Sequence, residues 1–529
     1  MRNPIQRADI QRFIEPLTLL LLGAVCYVFF FNGLSIIGLL GPDEPRYAAV
    51  AREMYQSGDY VTPRLHGIPW FEKPALLYWL AAIGFRIFGV GEFAARLPSA
   101  LAATVTVFFL YFVCRRLWGR AIALWASLIL ASSAGYLAFS RAGSTDMVLT
   151  ACLTLAFLSF LMGYNNREKG RRWWFLAFYV FIGFGVLAKG PVAIVLPALS
   201  LTCYLLLQGR FSEWREWYPA YALVTLAIAA PWYIAVTHAN GFEFIQVFFI
   251  NHNLERFSST VHGHQHHFLF YVPDLMMLTF PWTFMLIPAF RRTLDRNDRL
   301  LFWFALVPII FFSMSGSKLP GYILPSVPPI AILCARGISK VSSRAFRIAV
   351  FIEAGVMVFI GVAFGLFGPM LNVDPHVSPV VIVEIAISMA TILAAIAIAM
   401  PPPMLAAFNA FAMAVIVLIG TTFVLPRFET TDSMRPWEEV FRARVPGDQM
   451  VFVYRPPRWV EYGIQYYRSE NTRFVWTPEE LDAALNSSTK ALFVSDDKGQ
   501  AQLAQVDGLQ MRVVTSVGNQ WLFWAWRER

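Results

Sequence analysis

The sequence predicts an all-α polytopic membrane domain, about 13 transmembrane helices with extracytoplasmic interfacial helices, followed by a small α/β domain. Three observations predict this. Of 529 residues, 57% are hydrophobic and only 15% charged, with mean hydropathy +0.53. That leaves too little polar surface for a soluble globule of this size. Apolar runs of roughly 17–25 residues recur over residues 1–426. From 427 to 529 the pattern changes: 13 basic residues stand against 14 acidic ones, so the net charge of +9 belongs to the membrane part.

The run from Pro16 to Leu40 is too long for a signal peptide and reads as a retained first span. Later apolar runs lie near 97–114, 121–139, 147–164, 173–188, 191–208, 218–236, 272–290, 300–314, 321–335, 348–370, 378–400 and 403–425. A further run at 75–90 is short and carries Arg86 in its interior, which fits an interfacial helix. Twenty Lys and Arg residues cluster at the N-tail, 115–120, 165–172, 209–217, 291–299 and 336–347. The positive-inside rule puts these segments in the cytoplasm. The opposite, extracytoplasmic side then receives the first loop 41–96, the turn at 140–146, the turn near 189, the loop 237–271 and the turn at 315–322. These basic loops account for the charge excess, and no nucleic-acid partner is expected.

In the C-terminal region, "MVFVY" (450–454) and "KALFVS" (490–495) read as buried strands. Thr477-Pro478-Glu479-Glu480 reads as a capping box with Pro at the first helical position. "MRVVTSVGNQWLFWAW" reads as a hairpin turning at Gly518-Asn519. The five cysteines all lie in apolar stretches and read as small buried residues.

The extracytoplasmic segments hold most of the unusual polar residues. In "GPDEPRYAAVAREM" (41–54), Asp43 stands where a helix begins, with Pro45 in its first turn and Gly58 to end it. Asp43 serves there either as an N-cap or as a functional acid; Arg46, three residues on, shares its face. Glu72-Lys73-Pro74 precedes the interfacial run. Asp146 in "SRAGSTDM" (140–147) starts a span on the same side and carries the same two readings. Lys189 and Lys318 are lone cations beside turns, suited either to a phosphate or to snorkelling. Five of eight histidines fall between 252 and 267, and "HGHQHH" (262–267) is dense enough for metal binding or is simply a solvated tract. Trp70, Trp79, Trp232 and Trp282 read as interface anchors.

These segments, with "LAKGP" (187–191), "NLERF" (253–257) and "GSKLPGY" (316–322), resemble the bacterial lipid A 4-amino-4-deoxy-L-arabinose transferases. Those belong to the protein-mannosyltransferase-like, GT-C-fold polyprenyl-phosphate-sugar transferases. The resemblance covers residues 41 to about 330. It implies inverting transfer of the sugar from undecaprenyl phosphate to a lipid A phosphate at the periplasmic face of the inner membrane. Asp43 and Asp146 match the family's two acids. Lys73 and Arg256 match its donor-phosphate positions, and Arg46, Lys189 and Lys318 are further candidates for substrate. The resemblance also implies one structural zinc, for which Glu72, His262 and His264 are the candidate ligands, with His252 in reserve. Where Arg-Pro is expected, this chain has His266-His267. No nucleotide cofactor is implied, since the cytoplasmic loops are short and basic.

The chemistry agrees with such a role. A polyprenyl-phosphate leaving group gains negative charge as its glycosidic bond breaks, and fixed cations stabilise it. A hydroxyl acceptor requires a carboxylate base, whereas a phosphate acceptor does not. The same fold also suits another polyprenyl-linked sugar, or a polysaccharide or protein acceptor. A lipid flippase is a more distant reading. It calls for mid-span ionisable residues and two similar halves. Only Glu353 and Glu384 stand mid-span, and no halves are visible.

Overall fold

The computed structural model describes residues 4–166, 170–255, 267–285, 295–338, 402–468, 470–487 and 489–527, with a few positions between 344 and 359. The predicted spans 348–370 and 378–400, with Glu353 and Glu384, fall largely or wholly outside the described residues.

The chain opens with α1 (Pro4–Cys26), extended by a π-helical stretch to Phe31. After a turn comes α2 (Asp43–Ser57). A two-stranded ribbon follows, β1 (Arg64–Leu65) with β2 (Ile68–Pro69), and then α3 (Leu76–Phe88). Next are α4 (Glu92–Trp118), α5 (Arg120–Ser132), α6 (Ala134–Arg141), α7 (Thr145–Asn165), α8 (Arg171–Lys189), α9 (Val192–Leu207) and α10 (Ala222–Asn240). Among the described residues, six helices are long and apolar enough to cross a membrane, and α5 with α6 forms a seventh candidate bent by 63°. The chain is therefore a multi-pass membrane protein. The bend falls at Ser133, whose backbone is extended and whose neighbour Ala134 donates its N–H to Phe280 O at 2.8 Å.

Helix α7 is the hub. Its apolar window is wholly enclosed, and it packs against α4 and α8. Small residues permit close approach: a Cβ on Gly185 would stand 2.9 Å from the Ala193 methyl, and one on Gly183 as close to Ile228.

At 13 residues, α3 is shorter than the roughly 20 needed to span. Leu77, Tyr78, Ala81 and Phe85 face inward, while Leu80, Ile83 and Ile87 form an exposed apolar stripe. That is the pattern of a helix lying along the bilayer interface.

In the C-terminal region five strands form one sheet in the order β4-β3-β5-β7-β6. They are β3 (Val451–Tyr454), β4 (Thr472–Val475), β5 (Ala491–Asp496), β6 (Leu509–Val517) and β7 (Gln520–Arg527). β3 pairs in parallel with β4 and β5, and β7 pairs antiparallel with β5 and β6. β3 is buried along its whole length, which its unbroken apolar run requires of a central parallel strand. Thr477 and Glu480 form the capping box, with Pro478 opening the helix. Gly518, at φ 59°, makes the hairpin turn.

This sheet domain sits on the first loop. Helix Arg458–Tyr467 packs against α2. The buried Arg52 donates to the carbonyls of Tyr466 and Gln465, orphaned at that helix's C-terminus. The Tyr467 hydroxyl accepts from Leu39 N at 2.8 Å and lies 3.0 Å from Glu92 Oε1.

Candidate active site

Helix α2 is set by its ends. Asp43 and Glu44 occupy the first turn, where the helix dipole favours negative charge. Gly58 closes the helix at φ 71° with its N–H on Met54 O, a conformation that costs glycine nothing. The N-cap is Pro42, which has no side-chain cap, so Asp43 is not a cap. Its carboxylate instead accepts from Arg46 Nη2 at 2.5 Å and stays 59% exposed, while Arg46 is only 5% exposed. Arg46 Nη1 reaches Glu72 Oε2 at 3.1 Å. One guanidinium thus bridges an acid on the helix and an acid on the loop that also carries the half-buried Lys73. Burial alone would lower the Arg46 pKa, but Tyr47, Glu72 and Asp43 together raise it, so the charge is fixed.

Asp146 is not a cap either. Ser144 caps α7, accepting from the Asp146 N–H at 3.0 Å. The Asp146 carboxylate pairs with Lys189 at the end of α8. The Lys189 ammonium also lies 4.7 Å from the centre of the Tyr322 ring. Gly321 abuts this pair, and a Cβ there would stand 2.7 Å from Asp146 Cγ. The 3₁₀ segment Pro320–Ser326 therefore needs glycine at this point.

Glu44 joins the two acidic positions. Its carboxylate accepts Arg96 Nε at 3.0 Å and Nη2 at 2.7 Å. It also accepts the amides of Leu40 and Gly143, both at 2.8 Å. Burial would raise its pKa, but Arg96 and these two amides hold it below the ordinary glutamate value. Gly143 lies three residues before Asp146, so this buried pair pins the turn carrying Asp146 to the helix carrying Asp43. The Tyr47 phenol records the proximity: its pKa is raised first by burial, then by Asp43 and, from α7, by Asp146. Sequence reading missed Glu44 and Arg96. Their 52-residue separation leaves no local signal.

The other expected site residues are placed as follows. Lys318 is buried and donates to Ser315 O at 2.6 Å, bracing its own turn rather than snorkelling. Trp232 and Trp282 are buried, contrary to the expected interface anchors. Their indole N–H groups reach Val61 O at 3.1 Å and Ser132 Oγ at 3.0 Å, because a buried indole requires a partner. Trp79 likewise donates to Tyr60 O at 2.8 Å. Arg256, His262 and His264 lie outside the described residues. His252 Nε2 stands 4.0 Å from Glu72 Oε1, an oxygen and an imidazole of the kind zinc accepts. Among the described residues, no three acids, cysteines or histidines converge to hold a metal.

Three buried donors near the Arg46 guanidinium have no hydrogen-bond partner among the described residues: Arg46 Nε, Trp70 Nε1 and the Tyr78 hydroxyl. The arrangement is a cluster of alternating carboxylates and cations with spare donors. It can hold an anion while presenting acids to a bound sugar.

Residues 72–234 match the dolichyl-phosphate-mannose-protein mannosyltransferase family. An undecaprenyl phosphate-alpha-4-amino-4-deoxy-L-arabinose arabinosyl transferase of Pseudomonas fluorescens is 34% identical over 355 residues, 64% of this chain and 59% of the relative. One from Aeromonas hydrophila is 31% identical over 354 residues, 64% of each. The chain thus spans about three fifths of the length of these relatives. The crystal structure of ArnT from Cupriavidus metallidurans bound to undecaprenyl phosphate has the same fold, with TM-score 0.79 at 23% identity, covering 96% of this chain and 97% of that one. A crystal structure of the Archaeoglobus fulgidus oligosaccharyltransferase, 12% identical, aligns over 92% of this chain and 70% of that one with TM-score 0.51. In sequence the chain is thus similar to the undecaprenyl phosphate-alpha-4-amino-4-deoxy-L-arabinose arabinosyl transferases, and its fold is the one seen in the ArnT crystal structure.

Proposed function

We propose that the protein transfers 4-amino-4-deoxy-L-arabinose, with inversion, from undecaprenyl phosphate to a lipid A phosphate at the periplasmic face of the bacterial inner membrane. The names of the relatives supply the donor. The carrying observation is that the Glu44–Arg96 clamp ties the helix bearing the Asp43–Arg46–Glu72 cluster to the turn bearing Asp146, which pairs with Lys189. The basic loops favour an orientation with the N-terminal end of α1 in the cytoplasm and the acid–cation cluster and sheet domain in the periplasm.

In this mechanism the bond from the anomeric carbon to the polyprenyl phosphate breaks, leaving its electron pair on the phosphate. An acceptor phosphate oxygen forms the new bond from the opposite face, which inverts the configuration. Arg46 and Lys73, with Arg256, hold the departing phosphate, and the spare Arg46 Nε and Trp70 Nε1 donors complete its shell. An anionic acceptor needs no base. Asp43 and Asp146 therefore flank the sugar and steady the positive charge that develops on its ring. Lys189 holds the Asp146 carboxylate in place, and Lys318 shapes the turn behind it. Glu72 and His252, with His262 or His264, would hold a zinc that ties the two loops together. Its role would be structural, and metal analysis of the purified chain that found no zinc would remove it.

Mass spectrometry of lipid A from cells with and without the gene product tests the assignment. One added pentosamine per phosphate is expected. Unchanged lipid A, with sugar appearing on another glycan or on protein, would shift the acceptor; lipid movement between leaflets without transfer would overturn the enzyme.

A further inference from the structure

The sheet domain reaches the acid–cation cluster around Arg46. Helix Arg458–Tyr467 lies on α2 and brings the Tyr462 ring to 5.2 Å from the Arg46 guanidinium. Tyr47 lies at 5.1 Å and Trp70 at 5.8 Å from the same group. Tyr462 also meets Trp70 edge-on at 6.3 Å. Arg46 is thus enclosed by three aromatic rings, one of them from the far end of the chain, and its two hydrogen-bonded nitrogens point to Asp43 and Glu72. The helix is held from behind by Arg52, so its position is fixed independently of Tyr462.

We propose that the sheet domain completes the reaction site, with Tyr462 acting as a positioning residue that holds the Arg46 guanidinium in line with Asp43. This rests on the functional reading given above. A long arginine side chain has many rotamers, and two acids alone leave its plane free to swing about them. A ring stacked on that plane removes the freedom, and a desolvated cation–π contact holds it. The electrostatics agree: Glu461, one residue earlier on the same helix, is close enough for its carboxyl to be influenced by Arg46.

The test uses the full chain in lipid nanodiscs with the undecaprenyl-phosphate-linked donor and lipid A. Tyr462→Leu keeps the apolar volume and removes the aromatic face. It should lower kcat by about 10- to 30-fold, the size of one desolvated cation–π contact, and change donor KM much less. Tyr462→Phe should restore kcat to within about two-fold of wild type, since the ring is retained. His66→Asn is the control. It removes a separate contact between the first loop and the sheet domain, the His66–Phe474 ring pair at 6.0 Å, and should leave kcat unchanged. An active wild type whose Tyr462→Leu form is equally fast overturns this inference alone. So does a Phe variant as slow as the Leu variant, or a His66→Asn variant as impaired as Tyr462→Leu, because the loss then reflects the hydroxyl or domain docking. A wild type that transfers nothing overturns the functional reading itself.

Discussion

Asp43 and Asp146 show what a single residue reveals from sequence and what it conceals. Each stands at a helix start, where a carboxylate is as often a cap as a functional group. The Asp43 partner was legible, because Arg46 lies three residues on along the same helical face. The Asp146 partner was not, because Lys189 comes from the next helix, 43 residues away. The buried Glu44–Arg96 pair was equally hidden, although it joins the two acid-bearing segments. Glu44→Gln leaves Arg96 buried without its counter-charge, which should cost about 3–5 kcal/mol. The Glu44 pKa lies below its ordinary value of 4.5, so its contribution is fully present above that value and is lost as the pH falls through the lower folded-state pKa. Thermal unfolding of the purified protein should show a large gap between wild type and variant at pH 7 that narrows below pH 4.5. A gap independent of pH would refute the assignment.

At the scale of elements, local chemistry was the legible part. The Gly58 stop of α2, the Thr477 capping box and the Gly518 turn are short-range signals, and each forms where the residues put it. The 63° break between α5 and α6 was not visible, because residues 121–139 read as one apolar run and the break depends on a hydrogen bond to Phe280, far along the chain. Trp232 and Trp282 were misplaced for a related reason: composition cannot distinguish an indole at the membrane interface from one bracing a loop. The approach of segment Pro320–Ser326 to α7 is also tertiary, and it yields a sharp prediction. In Gly321→Ala, the new methyl group meets both Asp146 and the Phe139 ring, at 2.7 and 2.9 Å. Transfer should fall by at least about ten-fold, the effect of displacing a group in the site by a fraction of an ångström, while the amount of protein in the membrane is unchanged. Normal transfer by this variant would show that the position of Asp146 does not matter.

For the whole molecule, charge distribution is the basis of the proposed orientation, and the sheet domain carried the surprise. Balanced charge and short apolar strand runs made residues 427–529 read as a small α/β part, but nothing in that stretch signalled that Arg458–Tyr467 would lie over α2. A cysteine introduced at Asp507, an exposed position of the sheet domain, should react with an impermeant maleimide from the periplasmic side of spheroplasts. One at Arg116, at the end of α4, should react only after permeabilisation. The reverse pattern would invert the proposed topology and remove the acid–cation cluster from the face proposed to meet the acceptor. The central claim is that the acids and cations gathered around Arg46 perform sugar transfer, and the most direct measurement is turnover by Asp43→Asn in nanodiscs beside its binding of the undecaprenyl-phosphate-linked donor. The predicted result is transfer lost by at least about a hundred-fold, as for removal of one preorganised electrostatic group, with donor binding retained; turnover at the wild-type rate would contradict it.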